Sequence, residues 1–279
     1  MRDVTLGQYY PSNSLVHRAD PRFKLVILLL FLIMVFFCES FLSFGFLTLF
    51  VIITVALSRV PPLKVLKGLR MIIVVVLITT VLMLVFYTDA DSEPLCEWGI
   101  FHIYLSGIYA AVKLAWRLML LVLMPTVLTL TSTPTELCDG LESLLYPLKK
   151  IKFPVHELAL IMSIALRLIP TLIEETDKIK NAQKARGAAF ESRNPFKKVK
   201  AMLPVLIPLF VSSFRRADDL ADAMDSRCYR GAKGRTRMKV LHCRVGDFIA
   251  LIMWCAIFVA VLFLKYNWFG WEFITMLSL

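Results

Sequence analysis

The sequence lacks the motifs that mark nucleotide-binding proteins and metal-dependent hydrolases. It has no G-x-x-x-x-G-K-[ST] phosphate-binding loop, so no ATP site of the P-loop type is expected, and it has no H-E-x-x-H zinc motif. Histidine is scarce, and the four that occur are far apart, at positions 17, 102, 156 and 242. Without a cluster of histidine, cysteine and acidic residues, we expect no metal, no cofactor and no catalysis.

Cysteine forms no recognisable pattern either. The six cysteines are scattered along the chain, and no two form a Cys-x-x-Cys pair. A disulfide framework or a structural zinc site needs clustered or regularly spaced cysteines. The sequence therefore predicts neither.

Apolar residues, in contrast, are abundant. They make up 58% of the chain and the mean hydropathy is +0.70, whereas soluble domains average about 45–50% apolar residues. This composition predicts an integral membrane protein. The formal net charge of +11 then indicates basic cytoplasmic loops, where lysine and arginine concentrate, rather than a nucleic-acid-binding surface.

Five apolar runs are predicted to cross the bilayer. They are residues 23–37, 41–57, 71–87, a run within 100–130, and 245–264. The polar N-terminal segment precedes the first run, so no cleavable signal peptide is expected. The aromatic tail after the last run suits the membrane–water interface, where tryptophan and tyrosine concentrate.

The charge of the loops predicts the orientation of these spans. The N-terminus and the 59–70 loop are basic and are expected in the cytoplasm. The basic stretches 59–70 and 233–244 are expected to contact solvent and lipid headgroups. The turn at 38–40 and the acidic loop at 89–97 then lie outside. The basic segment 133–244 returns to the cytoplasm, and five spans leave the C-terminus outside.

Two long helices are predicted between the fourth and fifth spans. The first follows Pro154 and has apolar residues at i, i+3, i+4 and i+7 spacing, and the second runs from about Pro195 to Arg227. Prolines at 170, 204 and 208 are expected to bend them. If both helices spanned the membrane, the basic segment between them would lie outside, against the positive-inside tendency. We therefore predict amphipathic helices beneath the membrane.

Each long helix ends in a short basic motif. The motifs are Lys184-Ala185-Arg186-Gly187 and Asp225-Ser226-Arg227-Cys228-Tyr229-Arg230-Gly231. Gly187 suits a helix end because glycine reaches positive φ without a steric penalty. In the second motif Ser226 and Cys228 replace alanine and glycine, which makes Gly231 a candidate for the true helix stop.

The two motif arginines have two interpretations. A single arginine in the last turn complements the helix dipole, which is worth about 0.3–1 kcal/mol. Two such arginines, Arg186 and Arg227, in one domain favour a docking role. A guanidinium presents a rigid fork that matches a carboxylate in two places, and it suits an acidic groove on a partner.

Tandem Ala-Arg-Gly-type motifs that close two long helices after a multi-span region resemble the T component (EcfT) of energy-coupling factor importers of vitamins and metal ions. The resemblance covers nearly the whole chain. It includes Asp20-Pro21-Arg22-Phe23-Lys24, Thr131-Ser132-Thr133-Pro134, Glu136-Leu137, Gly140-Leu141 and Ala165-Leu166-Arg167-Leu168-Ile169-Pro170.

The resemblance implies a non-catalytic coupling subunit in a bacterial cell membrane. Its partners would be two nucleotide-binding ATPase subunits and a substrate-binding membrane S component, and one T component can serve several S components. The implied ATPase-binding residues are Ala185, Arg186, Gly187, Ser226, Arg227 and Cys228. The implied S-component contacts are Leu158, Met162, Leu203, Leu206 and Phe210. The resemblance does not indicate which vitamin or ion is carried.

The predicted architecture is an all-α integral membrane protein with about five transmembrane helices and a cytoplasmic coupling domain of long amphipathic helices between spans four and five. Residues 1–132 form the membrane domain, 133–244 the coupling domain, and 245–279 the fifth span and outer tail. Within span four, Arg117 and Lys113 are one turn apart. A structural hydrogen bond to neighbouring backbone is expected there, with a contact to the S component as the alternative.

Two other functions fit a membrane protein of this composition. A permease subunit of a conventional ABC importer would line its own translocation path and carry a short coupling helix with a Glu-Ala-Ala-type loop, which is not found here. A membrane-bound enzyme or regulator with a basic cytoplasmic domain would need a convergent set of catalytic side chains, which the sequence does not suggest.

Overall fold

The computed structural model describes residues 9–86, 94–98, 101–188, 190, 194–231, 243 and 245–265. Most of these residues are helical, which confirms the predicted helical membrane class. The helices are α1 (Leu15–Arg18), α2 (Pro21–Phe37), α3 (Phe41–Ser58), α4 (Pro62–Phe86), α5 (Leu105–Thr131), α6 (Pro134–Leu145), α7 (Val155–Ala185), α8 (Pro195–Ser226) and α9 (Val245–Lys265). A 3₁₀ helix, Tyr146–Ile151, links α6 to α7.

One small β-hairpin interrupts the helical pattern. Strand β1 (Pro94–Trp98) pairs antiparallel with β2 (Phe101–Tyr104). These residues lie in the segment predicted as an acidic loop and as the start of the fourth span, so the helix begins later, at Leu105. Aromatic and β-branched residues in β2 favour a strand over a helix. The rest of the predicted loop, residues 89–93, lies outside the described residues.

Length and composition qualify four described helices as candidate membrane spans, namely α3, α5, α7 and α9. Helix α4 adds a fifth if its two halves form one span. Helix α2 has 17 residues, which is at the lower limit of the roughly 17–25 residues that a span needs. Because α7 also qualifies as a candidate span, its assignment to the cytoplasm stays a prediction. That prediction rests on the basic charge of the segment between the two long helices.

The prediction of a basic loop at 59–70 is wrong over most of its length. Helix α4 begins at Pro62, a residue that suits the first helical turn because its missing N–H would have no helical acceptor there. Val65 and Leu69, four residues apart, are buried, so the segment has an apolar face. The helix then bends by 55° at position 71. The many charges on the other faces concealed this pattern.

An aromatic core joins α2, α3, α5 and α9. Trp254 of α9 is fully buried and packs edge-to-face against Phe31 of α2 and Phe50 of α3, with ring centroids 5.8 and 3.9 Å apart. Trp116 of α5 donates from Nε1 to the Thr48 hydroxyl of α3 at 2.8 Å. Many apolar side chains on the outward faces of these helices stay exposed, as expected for a protein surrounded by lipid.

The described chain divides into two compact units. The first unit contains the described residues between 9 and 143 together with those from 243 onwards, and therefore the hairpin, the aromatic core and α9. The second unit contains the described residues between 144 and 231, and its main elements are α7 and α8.

Candidate docking site

The first arginine motif closes α7. The helix ends at Ala185, and Arg186 is the capping residue, with φ −84° and ψ 7°. Gly187 takes a left-handed φ of 86°. Its N–H and that of the next residue donate to the carbonyls of Lys184 and Gln183, both at 3.0 Å. This pair of hydrogen bonds is a Schellman motif, and the predicted stop at Gly187 is confirmed.

The second motif has the same geometry although its sequence differs. Helix α8 ends at Ser226, and Arg227 is the capping residue, with φ −92° and ψ 13°. Cys228 takes the left-handed position, with φ 55°. The N–H groups of Cys228 and of the residue after it donate to the carbonyls of Asp225 and Met224 at 2.9 and 3.1 Å. Both long helices therefore present their motif arginine at the same point of a Schellman motif.

The sequence departures in the second motif have local explanations. The Ser226 hydroxyl donates to the Asp222 carbonyl at 2.6 Å, so the added polar group is satisfied within the helix. Cys228 adopts the conformation that glycine adopts at lower cost. The suggestion that Gly231 is the helix stop is wrong, because helical hydrogen bonding already ends at Ser226. Gly231 has φ 77° and lies in a later turn.

The six residues predicted to bind the ATPase subunits are all exposed. They are Ala185, Arg186, Gly187, Ser226, Arg227 and Cys228. Among the residues that the structure describes, no hydrogen bond or ion pair occupies either motif guanidinium. The preceding turns differ in charge, with lysines at 178, 180 and 184 in α7 and aspartates at 218, 219, 222 and 225 in α8. The C-terminal ends of α7 and α8, here called the tips, thus carry the same unpaired guanidinium group. The charged side chains just named are basic in α7 and acidic in α8.

The two left-handed positions allow a matched test of these helix ends. In Gly187→Ala the new Cβ would meet no atom within 4 Å, so only backbone strain acts, and the end of α7 should lose about 1 kcal/mol. Cys228→Gly should stabilise the end of α8 by about 0.5 kcal/mol, because relief of strain is partly offset by the entropy of glycine.

Hydrogen exchange at the amides of Ala188 and Tyr229, which donate the outer Schellman bonds, measures both effects. We expect faster exchange at Ala188 in Gly187→Ala and slower exchange at Tyr229 in Cys228→Gly. Equal exchange in the variants and the wild type would show that the left-handed residues do not determine these ends.

A three-residue contact joins α7 to α8. The Glu175 carboxylate accepts from Arg216 Nη2 at 2.9 Å on one oxygen and from the Ser212 hydroxyl on the other. Both charged side chains are largely covered, with 24% of Glu175 and 33% of Arg216 exposed. The sequence alone does not indicate this contact, because charged residues are frequent on both helices and only packing selects the pair.

The apolar residues predicted to contact an S component lie on the surface of the second unit. Phe210, Leu203 and Leu206 of α8 are 65%, 50% and 46% exposed, and Leu158 of α7 is 40% exposed. Met162 is half-buried. Phe196, Ile207 and Phe214 extend the exposed apolar surface of α8. Such a surface is more apolar than the solvent-facing side of a soluble helix, and it favours a partner or lipid as its neighbour.

Two stretches that carry the family resemblance meet in the first unit. Lys24 of α2 is buried, and its Nζ donates to the carbonyl of Thr131 at 3.1 Å and to the hydroxyl of Ser132 at 3.0 Å. A third acceptor is the His17 carbonyl, at 3.4 Å. Lys24 thus ties the start of α2 to the end of α5 and to the N-terminal segment. No local sequence pattern indicates this role for Lys24.

The N-terminal segment is held in turn by His17. Burial lowers the pKa of His17, which favours the neutral ring. Its Nε2 donates to the Tyr10 carbonyl at 2.9 Å, so Nδ1 is the acceptor, 2.6 Å from the Ser14 hydroxyl. The Tyr10 N–H donates to the Leu130 carbonyl at 2.9 Å. The segment therefore packs on the end of α5 through satisfied polar groups.

A close backbone approach links a third stretch to this cluster. A Cβ on Gly140 of α6 would lie 3.0 Å from Cβ of Pro21 and 3.2 Å from its carbonyl carbon. Only glycine leaves room for this contact without a shift of α6. The start of α2, the end of α5 and α6 therefore form one structural cluster in the first unit.

Arg117 has the structural role expected for it within α5. Its Nη2 donates to the Cys38 carbonyl at the end of α2, at 2.7 Å. The carbonyl lies at a helix end, where no helical N–H is available to it. Lys113, one turn earlier, places its ammonium 5.0 Å from the centre of the Phe41 ring. The predicted hydrogen bond to neighbouring backbone is confirmed for Arg117.

The first unit also contains an apolar cavity of about 520 Å³. Side chains of α1, α2, α3, α5 and α9 line it, and most are apolar, such as Leu28, Phe50 and Trp254. The charged residues on its wall are Arg18, Lys24 and Asp247. A translocation path for a polar solute would need several convergent polar groups. The lining instead suits an apolar occupant such as a lipid chain.

Together, these features define a helical integral membrane protein whose second unit presents two arginine-capped helix tips. A family model described as cobalt transport protein (CbiQ) matches residues 12–239. Several relatives carry the name energy-coupling factor transporter transmembrane protein EcfT. The protein of Acidaminococcus fermentans is 48% identical over 96% of this chain and 98% of its own length. The protein of Clostridium kluyveri is 47% identical over 97% of this chain and 99% of its own length. The protein of Bacillus subtilis is 47% identical over 86% of this chain and 90% of its own length. The chain belongs to this EcfT family of transporter transmembrane proteins.

Proposed function

We propose that this protein is the membrane T subunit of an ATP-driven energy-coupling factor importer and that its arginine-capped tips dock two ATPase subunits. The observation that carries the proposal is the repeated geometry: two long helices end in the same Schellman motif, each with an exposed arginine that has no partner among the described residues. Two unpaired guanidinium groups in the same backbone setting suit two acidic grooves, one on each of two ATPase subunits.

In this proposal the catalytic work belongs to the partners. The ATPase subunits bind and hydrolyse ATP, and their relative motion displaces Arg186 and Arg227. Helices α7 and α8 transmit that displacement to a substrate-binding S component. The exposed residues Leu158, Leu203, Leu206 and Phe210, with half-buried Met162, are proposed to form the S-component contact. An apolar surface that makes few directional bonds would tolerate several interchangeable S components.

The family relationship supports placement in a bacterial plasma membrane, and charge supports the proposed orientation in it. The N-terminus and the coupling domain at 133–244 lie in the cytoplasm, the membrane domain comprises 1–132, and the fifth span and outer tail comprise 245–279. Basic residues then stay on the cytoplasmic side, as the positive-inside tendency requires. The cytoplasmic location also gives the tips access to ATPase subunits.

Purification of the full-length chain from its native membranes in a mild detergent tests the composition of the complex. We expect two P-loop ATPase subunits and a small apolar membrane protein to co-purify, identified by mass spectrometry. Purification of the chain without any of these subunits, from membranes that contain them, would contradict the proposed function.

A further inference from the structure

The contact between α7 and α8 uses both oxygens of one carboxylate. Glu175 accepts from Arg216 and from Ser212, which lie one turn apart on α8. A charge-assisted pair supported by a second donor restrains the two helices in rotation as well as in separation. The partial burial of both charged groups also shields the pair from solvent.

Beyond this contact, each helix continues toward its C-terminus as an arm that ends at the motif arginine. The two arms have equal length. Eleven residues lead from Glu175 to Arg186, and eleven lead from Arg216 to Arg227. At a rise of about 1.5 Å per residue, each arm is about 16 Å long. The internal prolines of α7 and α8 all precede the contact, so each arm is an uninterrupted helix.

The same separation also fixes the direction of the motif arginines. A separation of eleven residues corresponds to about three full helical turns plus a rotation of roughly 20° around the helix axis. Arg186 therefore lies on the face of α7 that carries Glu175, and Arg227 lies on the face of α8 that carries Arg216. Since these two faces meet at the contact, a rotation of either helix there would turn its arginine away from the shared side.

We propose that the contact of Glu175 with Arg216 and Ser212 is the pivot that sets the separation and facing of the two arginine tips, so that both ATPase subunits are engaged at once. This inference rests on the proposed docking function. Glu175 and Arg216 act as positioning residues through the tips. When one tip has docked, the second contact becomes intramolecular, and its strength depends on whether the other tip is held at the right place.

The chain offers matched control variants for a test. Glu175→Ala and Arg216→Ala remove the pivot, whereas Glu174→Ala and Arg215→Ala remove the exposed charge next to each pivot residue. Spin labels on ketone-bearing amino acids at positions 181 and 222, each six residues beyond the pivot, report the distance between the arms in the full-length protein.

The pivot predicts one narrow distance distribution in the wild type and in both neighbour variants. The distribution should broaden in Glu175→Ala and Arg216→Ala and narrow again in the charge swap Glu175→Arg with Arg216→Glu. An unchanged distribution in Glu175→Ala would overturn the inference. Broadening that the swap does not reverse would overturn it too, since the loss would then reflect general destabilisation of α7 and α8.

Binding of the ATPase subunits to the same variants distinguishes this inference from the proposed function. We expect the pivot variants to bind with an apparent affinity about 10- to 100-fold lower, because two-point engagement is lost. Wild-type affinity in the pivot variants, with binding abolished in Arg186→Ala/Arg227→Ala, would overturn the pivot alone. Normal binding in Arg186→Ala/Arg227→Ala would overturn the docking function itself.

Discussion

Replacing both Arg186 and Arg227 with alanine is expected to abolish import while the chain remains folded in the membrane. Both side chains are exposed and cap helix ends, so their removal costs the fold only about 0.3–1 kcal/mol each. In the complex each would be one half of a buried charged pair, and its loss costs about 3–5 kcal/mol. That corresponds to roughly 10²–10⁴-fold weaker binding at each tip.

Uptake of the substrate of the co-purifying S component, measured in cells at matched protein abundance, reports this loss. Arg230→Ala removes an exposed arginine three residues beyond Arg227 and is expected to leave uptake unchanged. Each single arginine variant should show an intermediate rate, because one tip remains. Wild-type uptake by the double variant would refute docking through these arginines.

Replacing Lys24 with methionine is expected to destabilise the first unit by about 3 kcal/mol. The methionine keeps most of the apolar stem, but it leaves the acceptors on His17, Thr131 and Ser132 without their buried donor. Three segments of the chain lose their common attachment point. Thermal unfolding of the purified protein, followed by circular dichroism and by aggregation, should show a clearly lower midpoint.

Lys67→Met is the matched control for this substitution. Lys67 is exposed on α4, and an exposed charge away from any partner changes stability by about 0.5 kcal/mol or less. Its unfolding midpoint should therefore stay close to that of the wild type. If Lys24→Met and Lys67→Met unfold at the same temperature, the Lys24 cluster does not stabilise the first unit.

The two helix ends illustrate what the sequence alone can predict. Helix stops depend on a few adjacent residues, and Gly187 was recognisable because its conformational preference is local. The second stop was ambiguous, since Cys228 has no intrinsic preference for positive φ while Gly231 has one. The structure resolves the ambiguity in favour of Cys228, where two backbone hydrogen bonds outweigh the cost of a non-glycine residue.

Contacts between distant segments were beyond local patterns. Lys24 and Ser132 are 108 positions apart, and Glu175 and Arg216 are 41 apart. Their pairing depends on how the helices pack, which neither periodicity nor composition determines. Arg117 was different, because a charge within an apolar run requires an internal partner, and that requirement could be stated before the partner, the Cys38 carbonyl, was known.

Charge obscured the helical start of α4 for a related reason. Basic residues at 59, 64, 67 and 70 suggest a loop, but the buried positions Val65 and Leu69 of α4 are apolar. Short amphipathic helices with a narrow apolar face give a weak periodic signal. The β-hairpin is not recognisable in the sequence, because its apolar residues continue into the apolar run of the predicted fourth span.

Photo-crosslinking from positions 185 and 226 in intact membranes tests the docking claim most directly. Ala185 and Ser226 are exposed and directly precede the motif arginines, so a photoreactive residue at either position leaves the arginine in place. The account predicts that each position cross-links to an ATPase subunit and that Arg186→Ala or Arg227→Ala in the same chain removes the product at its own tip. Cross-links from both positions only to lipid or to the chain itself, in membranes that contain the ATPase subunits, would contradict it.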